Sequence, residues 1–123
     1  MAHNLRSFTR VATAIAAEVS GAGGTATGLT RDVSLNGIFL TTPTDFPAGS
    51  TVMVRLVLDD NAVITARGTV VRPGAGGWAV SFTELVDTDS YAHLRRLIEF
   101  NAPDPAQVRE EFDSHVGLKR VER

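Results

Sequence analysis

The sequence predicts a mainly β fold: a six-stranded antiparallel β-barrel followed by C-terminal α-helices. Three observations lead there. Short segments alternating apolar with polar or small residues recur about every ten residues, and Gly-, Pro- and Asp/Asn-containing turns separate them. Past Asp87 the apolar spacing changes from two to that of a helix. Closing such strands into a barrel leaves no unpaired edge to invite aggregation.

Residues 1–9 carry, besides Met1, only Leu5 and Phe8 as large apolar side chains and read as a flexible, exposed arm. Residues 11–19 place every β-branched side chain at odd positions, with alanines and Glu18 between them, which suggests the first strand. Gly21-Ala22-Gly23-Gly24 turns the chain into a second strand, residues 25–33, with Thr25, Thr27, Leu29, Arg31 and Val33 on one parity. A tight polar turn leads to a short strand over 38–42, closed by Pro43. Residues 51–58 alternate most clearly of all, with Val52, Val54, Leu56 and Leu58 on one face. Asp59-Asp60-Asn61 turns that strand into a long one over 62–72, and a Pro/Gly-rich turn leads to the sixth, 78–82. Tyr91, Leu94, Leu97 and Ile98 then mark a helix behind the capping candidates Thr88, Asp89 and Ser90, with Arg95 and Arg96 on its wet face. Asp104-Pro105 with Gln107 starts a second helix reaching about residue 116. Its few apolar positions, Val108, Phe112 and Val116, suit a barrel surface or a partner, and Glu110, Glu111 and Asp113 read as a solvated face.

A chain of 123 residues with 43% hydrophobic content suits one domain: an arm over 1–9, a barrel over 10–86 and helices over 87–123. The net charge of −2 gives no global basic field, so DNA or RNA is not expected as a partner and any anion site must be local. Of the twelve basic residues only Lys119 is not Arg, and Arg suits forked contacts to phosphate or guanine. Without Cys, and with His3, His93 and His115 scattered, no metal site is expected. No segment approaches the ~20 apolar residues of a membrane span, nor does the start resemble a signal peptide, which points to a soluble cytoplasmic protein.

The polar stretch between the second and third strands concentrates the chemistry. In Asp32-Val33-Ser34-Leu35-Asn36-Gly37, Asp32 offers carboxylate acceptors, Ser34 a short hydroxyl, and Gly37 a position open to φ > 0 or to close approach. Taken alone, such a stretch reads first as an ordinary Asx or Ser turn between antiparallel strands. Arg6 and Arg10 lie four apart at the entry to the first strand. An Arg-x-x-x-Arg pair is common by chance in so Arg-rich a chain, so its weight comes from order and context. Trp78, the sole Trp, can stack on a flat ligand or plug the core. Arg67 and Arg72 on the fifth strand read first as solvated residues, with an addition to an anion site as the alternative. No nucleophile with a base, paired acid and base, or metal cage is present, so no catalytic residue is expected and the protein does not read as an enzyme.

Arg6-Ser7-Phe8-Thr9-Arg10 followed by Asp32-Val33-Ser34-Leu35-Asn36-Gly37, then Gly68-Thr69-Val70-Val71-Arg72 and Gly77-Trp78-Ala79-Val80-Ser81-Phe82, resembles the PilZ domain family over about residues 5–100. The resemblance implies a six-stranded barrel with a C-terminal helix that binds the bacterial second messenger cyclic di-GMP as a ligand, with no other cofactor. It implies a site of Arg6, Arg10, Asp32, Ser34 and Gly37, joined by Leu5, Asn36 and Trp78. An apolar residue before the Arg pair, here Leu5, goes in this family with one bound nucleotide. The chemistry agrees: guanidinium groups fork onto phosphodiester oxygens or guanine O6 and N7, and Asp32 can accept from guanine N1 and N2. The leading expectation is a stand-alone receptor that couples the messenger to a bacterial protein partner in motility, surface appendages, polysaccharide synthesis or transcription. The alternative is an adaptor barrel that docks through its C-terminal helix without a nucleotide.

Overall fold

The computed structural model describes residues 8–42, 46–74 and 77–114. Strands β1 (Arg10–Ala12), β2 (Ala16–Gly21), β3 (Gly24–Ser34), β4 (Gly37–Thr41), β5 (Thr51–Asp59), β6 (Ala62–Gly74) and β7 (Gly77–Leu85) precede helices α1 (Thr88–Asn101) and α2 (Pro105–Ser114). All pairings are antiparallel, in the order β3-β2-β5-β6-β7-β4, and β4 returns to β3 to close a six-stranded barrel. β1 is an extra strand, paired with β3 beyond the end of β2. The apolar parities of β5, β6 and β7 point inward, as alternation requires, and Val54, Leu56, Ile64 and Val70 are fully buried.

The predicted first strand is therefore two strands, and one side chain explains the break. Buried Thr30 donates its hydroxyl to the Thr13 carbonyl at 2.5 Å and accepts from the Ile15 amide at 2.9 Å, while its own amide donates to the Ile15 carbonyl at 3.0 Å. These bonds stand in for part of the ladder that residues 13–15 leave.

β3 also departs from its predicted parity. Thr30 pairs with Leu40 and Asp32 with Phe39, so Arg31 is the extra residue of a bulge. Before the bulge the even positions Ala26 and Thr30 are buried; after it Val33 is, with 0% exposure. Arg31 and Asp32 consequently both lie on the outer face, whereas strict alternation would turn Asp32 into the core.

α1 docks where β7 parts from β6. The Thr65 amide donates to Ser90 Oγ at 2.8 Å and the Thr65 carbonyl accepts from the Val86 amide at 2.9 Å, replacing the partner strand. The cap is Asp87, one residue before the predicted candidates, and it accepts from the Ser90 amide at 2.7 Å. Leu94 and Ile98 are buried beneath. Arg95 is half-buried rather than wet, pairing with Glu99 at 3.1 Å and reaching Asp113 at 3.5 Å. In α2, Asp104 caps as predicted, accepting from the Gln107 amide, and the apolar side faces α1: Val108 and Phe112 are buried, with Phe112 edge-on to Tyr91 at 5.5 Å. Val116 and His115 lie outside the described residues.

Thr30→Val keeps the shape but leaves the Ile15 amide and Thr13 carbonyl without that partner. The expected loss is about 1–3 kcal/mol, read as a lower urea midpoint at unchanged slope.

Candidate functional site

The bulge turns Asp32 outward, and strand register lays a floor beside it. Asp32 pairs with Phe39, Phe39 with Ala79 and Ala79 with Val71, so one outward row crosses β3, β4, β7 and β6. The adjacent row contains Gly37 and Ser81. Because Ala79, Ser81 and Gly37 are small, this part of the outer wall is a concavity of about 510 Å³, lined also by Arg10, Arg31 and Asn36. Its size falls in the usual range for small-molecule sites, about 300–1,000 Å³.

Two cations flank one carboxylate at its rim. β1 pairs Arg10 with Ser34, and the Arg10 guanidinium donates to Asp32 Oδ1 at 2.7 Å. Arg31 Nε lies 3.7 Å from Asp32 Oδ2, and its guanidinium covers the Phe39 ring at 4.0 Å. The charged side chains lining the concavity thus carry a surplus of one positive charge on a chain of net −2. Arg10 is 54% exposed and Asp32 18%, so the Arg donors not turned to Asp32 face solvent while the carboxylate is held in place. Five donors per guanidinium against a shared carboxylate suit a planar anionic ligand that also presents N–H groups.

Other predicted residues have different surroundings. Leu5 and Arg6 lie outside the described residues. Ser34 is fully buried; its hydroxyl donates to Asn36 Oδ1 at 2.7 Å and accepts from the Asn36 amide at 3.3 Å, so it builds the turn that presents Asn36 and Gly37. Gly37 does not have positive φ. Its hydrogen is required because a Cβ would sit 2.4 Å from the Val80 carbonyl oxygen, where β4 and β7 approach each other. Trp78 is corrected from a stacking candidate to a core plug: it is 1% exposed and lies edge-on to Phe46 at 5.6 Å. Trp78, Val80 and Phe82 share the inward parity, an alternation that could have settled this and also pointed Ala79 and Ser81 outward. Arg67 pairs with Glu84.

The arm also needs correction at its described end. Phe8 packs against the core, and Thr9 is gripped from α2: its amide donates to Glu111 Oε1 at 3.0 Å and its hydroxyl to Oε2 at 2.8 Å. Glu111 is half-buried, not part of a solvated face. Arg31 and Phe39 line the concavity without any signal in the sequence, because a bulge and a cross-strand neighbour leave no local pattern.

Gly37→Ala must separate β4 from β7, whereas Arg10→Ala removes an exposed ion pair worth about 0–1 kcal/mol. Thermal unfolding should show the first lowering Tm by several degrees and the second barely moving it.

The family model for the PilZ domain matches residues 4–100. The PilZ domain of CeSA from a cellulose-synthesizing bacterium is 26% identical, with TM-score 0.58, covering 73% of this chain and 94% of that one. The Escherichia coli YcgR PilZ domain, solved with c-di-GMP, is 15% identical at TM-score 0.59, covering 87% of this chain and 96% of that one. The Bacillus subtilis inhibitor of motility MotI/DgrA is 16% identical at TM-score 0.61; 89% of this chain aligns with 53% of that protein. These last two likenesses concern the fold. No curated protein matches the sequence.

Proposed function

The chain belongs to the PilZ domain family, and from that premise we propose that it is a receptor for cyclic di-GMP, bound in the concavity between Arg10, Arg31 and the floor of Ala79 and Ser81. The observation that carries this reading is the Arg10–Asp32 pair at 2.7 Å, which joins the two sequence motifs at the mouth of a locally basic hollow. A phosphodiester would draw the Arg10 fork, joined by Arg6, while Asp32 accepts from a guanine edge. Ser34 acts by holding the turn. Asn36 and Gly37 border the ligand, and Leu5 adds no cation for a second nucleotide, which favours one ligand per chain.

Occupancy would then change the surface around residues 5–10, and a protein partner that touches this surface senses the messenger through its different affinity for the two states. The process so controlled, whether motility, appendages, polysaccharide or transcription, follows from the partner. The adaptor reading, with α2 docking elsewhere, loses support because Val108 and Phe112 are already spent on this chain's own core. Among the described residues no helix is long and apolar enough to cross a membrane.

Calorimetry with cyclic di-GMP tests the site, with one ligand per chain expected; a ratio near two would reject the role given to Leu5. Arg6→Ala and Arg10→Ala should each weaken binding by about 10- to 100-fold, the worth of a charged hydrogen bond, and Lys at position 10 should rescue poorly for want of a fork. Asp32→Ala should cost about 1–3 kcal/mol. Wild-type affinity in all three Ala variants would sink the assignment.

The floor can be tested separately. Ala79→Leu adds bulk on the outer face and should leave the unfolding curve near wild type while abolishing measurable binding. Unchanged affinity in that variant would place the ligand elsewhere.

A further inference from the structure

Helix α2 lies outside the span matched by the family model, yet it reaches back to the segment that carries the arginines. Both carboxylate oxygens of Glu111 are used on one residue 102 positions away in sequence, Thr9: one takes the amide, the other the hydroxyl. Thr9 stands immediately before Arg10 and three residues after Arg6. Gln107, one turn earlier on α2, donates to Glu111 Oε2 at 3.2 Å and steadies the carboxylate. The helix is itself held on α1 by buried Val108 and Phe112 and by the Arg95–Asp113 contact.

The path of the chain into Arg10 is therefore set from two sides. β1 holds Arg10 opposite Ser34, and the Glu111 clamp holds the peptide just ahead of it. A surface solvated face has no need of such a grip, and a ligand that relies on Arg10 benefits from any contact that fixes the approach before it arrives. We propose that Glu111 is a positioning residue for the nucleotide site, and that α2 docking and cyclic di-GMP binding strengthen each other through the Thr9 clamp. This rests on the cyclic di-GMP reading of the concavity. Coupling of binding free energies is reciprocal, so a clamp that aids the ligand is itself tightened by the ligand. α2 thereby senses occupancy although none of its residues lines the concavity.

The test uses the full chain, with calorimetry against cyclic di-GMP and amide exchange of residues 106–112 with and without it. Glu111→Ala should weaken binding by about 10-fold, the share of the clamp's worth that goes into ordering Arg10 for the ligand. Glu111→Gln, which keeps an acceptor for the Thr9 amide, should recover part of that. Thr9→Val removes the hydroxyl and leaves α2 intact, so it reports on the clamp even if Glu111→Ala folds poorly. In a Glu111→Ala background it should cost nothing further. In the wild type the ligand should slow exchange along α2 several-fold, and in Glu111→Ala it should not. A wild type that binds, with Thr9→Val and Glu111→Ala binding equally well or α2 exchange indifferent to ligand, overturns this inference alone. A wild type that does not bind overturns it together with the receptor reading.

Discussion

One extra residue in β3 decides which way the site faces. Strand geometry turns successive side chains to opposite faces, so Asp32, two positions after buried Thr30, belongs in the barrel interior unless something intervenes. The bulge at Arg31 intervenes. It puts Arg31 and Asp32 on the outside together and returns Val33 to the core. An ionised carboxylate inside a barrel lined by Val, Leu and Ile would carry a desolvation penalty of several kcal/mol. The bulge is held across the sheet by Thr30, whose hydroxyl and amide bridge the gap between β1 and β2. Two irregularities therefore face each other, and together they place β1, with Arg10, beside the outward Asp32.

The electrostatics follow from that placement. Arg10 and Arg31 reach the same carboxylate from opposite oxygens, and neither is buried. An exposed ion pair contributes little to stability. Its value is geometric: it keeps two forks converging on one spot while costing little to rearrange when an anion competes for them. The floor beneath is recessed because the outward positions on β7 carry Ala79 and Ser81, while the same strand sends Trp78, Val80 and Phe82 inward. One alternation thus supplies both the core and the cavity.

The helices reach the segment beside Arg10 from a distance. α1 is anchored where β6 loses its neighbour, through Ser90 and Val86 on Thr65. α2 packs on α1, and from that rigid base Glu111 reaches Thr9. The C-terminal part of the chain is thereby tied to the segment next to Arg10, although more than a hundred positions separate them. A grip of this kind has meaning only because both ends are fixed, one by β1 pairing and the other by buried Phe112.

The sequence by itself determined the barrel, the change to helices past Asp87, the Asp104 cap and the two polar motifs, because periodicity, turn residues and caps are local and survive in the order of residues. It also held the clue to Trp78, in the large-small alternation of β7. What it could not carry was the split of the first strand, the bulge, and the placement of Arg31, Phe39 and Glu111. Each of these depends on what lies opposite: a bulge is defined by the partner strand, the Phe39–Ala79 row by register, and the Thr9 clamp by two helices docking on a closed barrel. Gly37 shows the difference most directly. Its place in a motif was legible, but the reason for it, a carbonyl of Val80 where a methyl would stand, exists only once β4 lies against β7.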